Sequence, residues 1–272
     1  MNLLHVIVLA VIQGITELFP ISSLGHAILV SHWMGWGTDL KAESLVPFLV
    51  ALHLGTATAL LIYFRKDWLA FLQISGEHPL FHKKNSTVLL YLLLGTIPPG
   101  IIGLLLEKKL ARLFQQPQWV AIFLILNGFI LFFGEWMKRR TKSRDLSEIS
   151  VKETLLIGTS QALALLPGFS RSGTTLVGGL LLGFTHEAAA HFSFLLATPL
   201  IFAAGIFEMR KLLHMDIQTI ILPSLLGGVI AGIFAYLTTF FMMRYLKKNE
   251  FTALIPFGIY CIAIGLLSLI IH

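Results

Sequence analysis

Charge is scarce in this chain: Asp, Glu, Lys and Arg make up 12% of 272 residues, while 56% are hydrophobic. An ordinary soluble domain carries about 25% charged residues, so this composition and the strongly positive mean hydropathy exclude that class and leave the bilayer as solvent. Cysteine is nearly missing too. Cys261 alone, in the last apolar run, permits no internal disulfide and reads as a small buried side chain. The GxxxxGK[ST], GxGxxG, CxxC and HExxH patterns do not occur, which removes the usual soluble nucleotide, redox and zinc-protease schemes. The start, Met1 to Gln13, has neither the basic stretch nor the small-residue cleavage site of a signal peptide and is read as mature protein. The net charge of +6 is spread over short loops rather than gathered on one face, so nucleic acid is not an expected partner.

What the chain has instead is apolar sequence in lengths that suit a membrane, for which about 20 residues are needed. Six spans are predicted, roughly Pro47 to Tyr63, Val88 to Leu106, Val120 to Trp136, Ala188 to Phe207, Ile217 to Met242 and Thr252 to Ile271. Two further segments, Leu3 to Trp36 and Thr154 to Phe184, are mostly apolar but interrupted midway by Pro, Gly and Ser, which predicts two half-length helices around a break. Interrupted segments in corresponding halves are the sequence sign of an inverted repeat with its site near the midplane. The expected fold is therefore an all-α polytopic membrane protein of six transmembrane helices and two re-entrant helical hairpins. It forms one membrane domain: a first repeat over 1–137, a cytoplasmic linker over 138–152 and a second repeat over 153–272.

The basic residues test that layout, because cytoplasmic loops carry the excess of Lys and Arg. With both interrupted segments drawn as re-entrant hairpins, Arg65, Lys66, Lys83, Lys84, Lys138, Arg139, Arg140, Lys142, Arg144, Lys152, Arg244, Lys247 and Lys248 fall on one side. Lys41, Lys108, Lys109, Arg112, Arg210 and Lys211 fall on the other, and Arg171 stands apart. Thirteen against six makes the first side cytoplasmic. The first hairpin then enters from outside and the second from the cytoplasm, so their tips can meet. Trp33, Trp36, Trp68, Trp119 and Trp136 fall near span ends and are assigned an anchoring role. Gly179 with Gly183, and Gly228 with Gly232, have the spacing of close helix packing.

The two breaks resemble each other. The first holds Gln13, Glu17, Pro20, Ser22, Ser23, Gly25 and His26; the second holds Gln161, Pro167, Gly168, Ser170, Arg171, Ser172, Gly173, Thr174 and Thr175. Gln13 and Gln161, Ser22 and Ser170, and Gly25 and Gly173 share one offset of 148 residues, and the prolines miss it by one. Gln13 and Glu17 project from one helical face. Pro20 ends that helix, Ser22 and Ser23 suit the N-cap of the next, and His26 lies on its first turn. Helix N-termini pointing into the middle suit a phosphate, and Arg171 adds a planar fork for two of its oxygens.

Blander readings stand beside these. Ser and Thr at helix breaks also simply cap, Glu17 and Arg171 also suit a buried structural ion pair, and His53 and His191 read as packed core histidines. His26 differs by sharing a short motif with Glu17 and Ser23. A charged pair at membrane depth costs several kcal/mol unless it is used, which favours a working site. In that reading Arg171, Ser170, Ser172 and Thr175 hold a phosphate group, with Ser22 and Gln13 at the substrate. Ser23 is the nucleophile, His26 handles the proton, and Glu17 is the base or binds a divalent cation, Mg or Ca. Direct attack by His26 stays open. A transporter or flippase for a lipid phosphate is the rival from another class.

These two motifs resemble those of the undecaprenyl-pyrophosphate phosphatase family, the bacitracin-resistance membrane proteins. The family's Glu/Gln-x-x-x-Glu followed by Pro-x-Ser-Ser-x-Gly-His is matched by Gln13, Glu17, Pro20, Ser22, Ser23, Gly25 and His26. Its Pro-Gly-x-Ser-Arg-Ser-x-x-Thr is matched by Pro167, Gly168, Ser170, Arg171, Ser172 and Thr175. The resemblance covers essentially the whole chain. It implies hydrolysis of a polyprenyl pyrophosphate to the monophosphate in the bacterial inner membrane, recycling the lipid carrier of wall synthesis, with bacitracin acting on the substrate rather than on the protein and a homodimer permitted. The charge count predicts a site open to the periplasmic face. Two departures matter: Gln13 stands where many relatives have Glu, which weakens a metal held by two carboxylates, and Leu24 replaces a small hydroxyl residue.

Overall fold

The computed structural model describes residues 2–36, 42–73, 76–114, 116–141, 143–212, 217–250 and 252–271. Lys41 and Lys142, and the side chains of Lys108, Lys109, Arg112, Arg210 and Lys211, all used in the charge count, lie outside the described residues. The architecture is all-α apart from one two-residue hairpin, Glu77–His78 (β1) with Lys83–Lys84 (β2). In chain order the helices are α1 (Leu3–Thr16), α2 (Ser23–Trp33), α3 (Ala42–Tyr63), α4 (Arg65–Leu72), α5 (Asn85–Leu113), α6 (Pro117–Lys138), α7 (Val151–Ser160), α8 (Arg171–Leu181), α9 (His186–Leu212), α10 (Ile217–Lys248) and α11 (Ile255–Ile271).

Among the described residues, four stretches are long and apolar enough to cross a membrane: Asn85–Leu106, Pro117–Lys138, His186–Phe207 and Ile221–Lys248. A fifth is the bent pair Pro47–Tyr63 and Arg65–Leu72, which turns by 76° at Phe64. The expected sixth, Thr252 to Ile271, is the shorter helix Ile255–Ile271, because the chain turns through the residues before Ile255. All of these helices carry apolar side chains outward, such as Leu105, Leu222 and Ile270, as a lipid-facing surface requires.

Both interrupted segments form helix, break, helix. Residues 17–22 separate α1 from α2, and a 3₁₀ turn at Gln161–Leu165 followed by Leu166 to Ser170 separates α7 from α8. The helices of each pair pack together. Around them α10 packs on α3 and α1, α11 on α6, and α5 on α7. Small residues allow these approaches: a Cβ on Gly55 would strike the backbone of Gly228, and Gly232 faces the Gly55 carbonyl. Gly228 and Gly232 therefore line a helix contact as their spacing predicts. Gly179 packs against Ala189, and Gly183 lies just beyond the end of α8 with φ +90°, a left-handed turn position that suits glycine.

Two tryptophans are about half exposed, Trp119 and Trp136, at opposite ends of α6. The other three turn inward: Trp33 and Trp68 pack against the core, and Trp36 lies on the His5 ring. Cys261 is fully buried and receives a hydrogen bond from Asn127 Nδ2 at 3.4 Å.

Candidate active site

The two breaks meet. Glu17, the last-turn cap of α1, is 6% exposed and surrounded by partners. Gln13, one turn earlier, donates from Nε2 to Glu17 Oε2 at 3.0 Å, and Ser23 donates from Oγ to the same oxygen at 2.5 Å. Arg171, from the other half of the chain, donates from Nη2 to Glu17 Oε1 at 2.9 Å. Ser23 and Arg171 are the first residues of α2 and α8. They are also 148 positions apart, the offset that relates the two motifs. Equivalent positions of the two half-helices thus converge on one carboxylate.

Local sequence explains the convergence. Ser22 adopts φ 70°, and its Oγ accepts from Gly25 N at 3.2 Å, while Ser170 Oγ accepts from Gly173 N at 3.1 Å. Each serine caps its half-helix by the same device. Gly168 takes φ +116° against the Val120 carbonyl, a conformation and a closeness that exclude a side chain. Gly25 faces Gly168 and Gly173 faces Pro20, so each break rests on the other.

The second-motif hydroxyls stitch these breaks together. Ser172 Oγ lies 3.1 Å from both the Glu17 and Phe19 carbonyls, and Ser170 Oγ lies 3.0 Å from Ser172 Oγ and 3.4 Å from the Phe19 carbonyl. Thr175 turns away, donating to the Arg171 carbonyl at 2.8 Å and sharing a hydrogen bond with Ser193 Oγ at 2.5 Å. His26 also differs from its expected setting. Its Nδ1 donates to the Ser22 carbonyl at 2.7 Å, which leaves Nε2 to accept from Tyr260 OH at 2.9 Å, and the two rings stack. Neither nitrogen is on Ser23.

Three residues were not anticipated. His53 Nε2 lies 3.5 Å from Glu17 Oε2, with its Nδ1 held by the Leu49 carbonyl at 2.8 Å. A titratable side chain in the middle of an apolar span was the available signal. Asn127, fully buried on α6, donates to the Pro20 carbonyl at 2.9 Å and accepts from Ser170 N at 3.0 Å, so one amide bridges both breaks. Tyr260 reaches His26 from 234 residues away, a pairing that no local pattern encodes.

Two buried polar atoms at the centre have no hydrogen-bond partner among the described residues: Arg171 Nη1 and Gln13 Oε1. A cationic N–H donor and a carbonyl acceptor left open beside an engaged carboxylate form a receptor for an added group. Nη1 suits a phosphate oxygen. Gln13 Oε1 with Glu17 offers oxygen ligands to a hard divalent cation, whose shell phosphate oxygens and water would complete. Among the described residues no three His, Cys, Asp or Glu side chains form a ligand cluster.

Fold and site together define a helical membrane protein with a buried polar centre formed where two broken helices meet. Residues 6–267 match the family described as bacitracin resistance protein BacA, and the chain belongs to that family. It is 47% identical over 275 residues to Undecaprenyl-diphosphatase 2 of Chromobacterium violaceum, covering 99% of both chains. It is 46% identical to Undecaprenyl-diphosphatase 2 of Burkholderia ambifaria, covering 99% of this chain and 96% of that one. Undecaprenyl-diphosphatase of Granulibacter bethesdensis is 44% identical over 281 residues, with coverage of 98% and 95%.

Proposed function

We infer that this protein is an undecaprenyl-diphosphatase, an integral membrane hydrolase that converts the polyprenyl pyrophosphate to its monophosphate and inorganic phosphate. That activity returns the lipid carrier to wall synthesis and gives bacitracin resistance, because bacitracin acts on the pyrophosphate lipid rather than on the enzyme. Relatives at 44–47% identity over nearly the full chain support it. The observation that carries it is the Arg171–Glu17–Ser23 chain, with Arg171 Nη1 left open beside it.

In the mechanism this supports, the free Nη1 binds the pyrophosphate, and the substrate draws part of the guanidinium away from Glu17. Positive dipole ends of α2 and α8 add to that grip. Ser23 Oγ attacks the terminal phosphorus while its proton passes to Glu17 Oε2, and the P–O bond to the lipid phosphate breaks with its electron pair on the departing monophosphate. Glu17 gives that proton to the departing lipid monophosphate and, a carboxylate again, takes a proton from the water that attacks the phosphoserine, returning it to Ser23 Oγ as inorganic phosphate leaves. Gln13 and His53 hold Glu17 in place. Gln13 and Glu17 would hold a divalent cation, which neutralises phosphate charge when bound. Ser170, Ser172 and Ser22 position the breaks, Thr175 supports α8 from behind, and His26 orders the first turn of α2 through Ser22 and Tyr260. A transporter needs the guanidinium but has no use for a serine hydroxyl on a carboxylate, so hydrolysis is the better account.

The topology belongs to the same reading: six spans and two re-entrant hairpins in an inverted repeat, divided at the 138–152 linker, in the bacterial plasma membrane. The Lys and Arg excess puts Arg65, Lys66 and Arg244 in the cytoplasm and opens the site to the periplasmic face. A homodimer is compatible with it. Purified protein given a polyprenyl pyrophosphate should release inorganic phosphate, a chelator should reduce the release, and Ser23→Ala and Arg171→Ala should each lower it at least 100-fold, about 2.7 kcal/mol of barrier. Undiminished turnover in Ser23→Ala would remove the serine from this scheme.

A further inference from the structure

A charged cavity of about 500 Å³ lies at the C-terminal end of α3. His53 touches Glu17, and the cavity begins at Tyr63, ten residues further along the same helix, about 15 Å by helical rise. Its walls are the α3–α4 corner, the start of α9 and the last turns of α10. Four cations line it: Arg65 and Lys66 from the corner, Arg244 and Lys247 from α10.

The acids nearby leave that charge largely unanswered. Asp67, also in the lining, is already paired, 3.2 Å from His78 Nε2 and 3.1 Å from His191 Nε2. Among the described residues Glu187 pairs with Lys247, at 3.6 Å, in a contact exposed enough to be weak. Arg65 donates from Nη1 to the Ile62 carbonyl at 3.3 Å, and Arg244 lies over the Phe240 ring at 4.5 Å. Lys66 has no hydrogen bond or ion pair among the described residues. An Arg fork and a free ammonium facing one concavity suit a phosphate. Tyr236 and Phe240, 37% and 45% exposed, extend the rim along the outward face of α10, where an acyl chain can lie.

We propose that this cavity binds the phosphate headgroup of an anionic membrane lipid, as a site separate from the Glu17 centre. Basic pockets between transmembrane helices at the leaflet that carries the Lys and Arg excess recognise such headgroups. Binding requires no bond cleavage, and Asp67, held by His78 and His191, leaves the four cations to meet the phosphate.

The test compares three probes on purified protein in detergent: short-chain phosphatidic acid, phosphatidylcholine of the same chains, and inorganic phosphate. Retention is read by native mass spectrometry and by thermal midpoint. Phosphatidic acid should be retained by the wild type and by Arg171→Ala, which separates this cavity from the catalytic centre. Retention should fall at least fivefold in a Lys66→Gln, Arg244→Gln double variant, and to a smaller degree in Lys66→Ala, whose side chain is exposed and whose fold is thereby safe. Phosphate release by the double variant should stay at the wild-type level. Equal retention by the variants, loss of retention in Arg171→Ala, or equal binding of phosphatidylcholine overturns the site. Inorganic phosphate matching phosphatidic acid overturns its assignment to a lipid.

Discussion

A carboxylate at membrane depth must be answered on both oxygens, and Glu17 receives Arg171 on one and Gln13 and Ser23 on the other. His53 completes that set at 3.5 Å. Removing His53 leaves Oε2 with two donors and lets the carboxylate rotate, so His53→Ala should slow phosphate release about tenfold, ~1.4 kcal/mol, with binding of the pyrophosphate lipid little changed. An unaltered rate would return His53 to a packing role. At this scale the sequence was informative where residues lie in one motif: Gln13 and Glu17 are one helical turn apart, and Ser23 follows just across the break. His53, Asn127 and Tyr260 reach the site from separate helices. Helical periodicity says which face each occupies but not which neighbour that face meets, and the i to i−4 bond of His53 to Leu49 is compatible with any of them.

The broken helices are legible as elements for the same local reason. Pro20, Pro167 and Gly168 interrupt apolar runs, and the serines after them are good caps. What the sequence could not supply is the seam between the breaks, which depends on two backbones meeting. Gly168 shows the stringency of that seam: a methyl group there would clash with the Val120 carbonyl and sit at φ +116°. Gly168→Ala should therefore destabilise by about 1–3 kcal/mol and lower turnover, since Ser170 and Arg171 follow directly. A thermal midpoint equal to wild type would refute this. Asn127→Leu preserves bulk but strands the Pro20 carbonyl and the Ser170 amide, each costing about 1–3 kcal/mol when buried unpaired. It should reduce phosphate release more than a surface change of equal cost, because both groups adjoin the catalytic motifs. Of the six expected spans, five coincide with helices long and apolar enough to cross a membrane when the bent pair is taken as one, and hydropathy alone did not reveal that the last helix starts only at Ile255.

Across the whole molecule, the stretch between the halves is docked rather than loose. Arg144 donates to Glu148 at 2.9 Å, to Glu153 at 2.7 Å and to the Leu182 carbonyl at 3.0 Å, and Ser150 and Glu153 form a capping box at the start of α7. Burial would raise the Glu153 pKa, but hydrogen bonds from Arg144 and Ser150 outweigh it and hold the group below its ordinary 4.5. The unfolded chain then binds the proton more readily. The stabilisation is complete above 4.5 and is lost as pH falls through the depressed folded value. Thermal midpoints taken between about pH 6 and about pH 3 should fall more steeply for wild type than for Glu153→Gln. Parallel curves would mean that this contact does not sense protons.

The amide of Asn127, spanning from Pro20 to Ser170, has a bearing on how the enzyme must work. Rocking one half of the protein against the other would tear that bridge and the Ser172 bonds at a single stroke, all of them shielded from water. Cutting a bond needs no such rocking, so the scaffold acts as a fixed anvil that stays clenched through turnover.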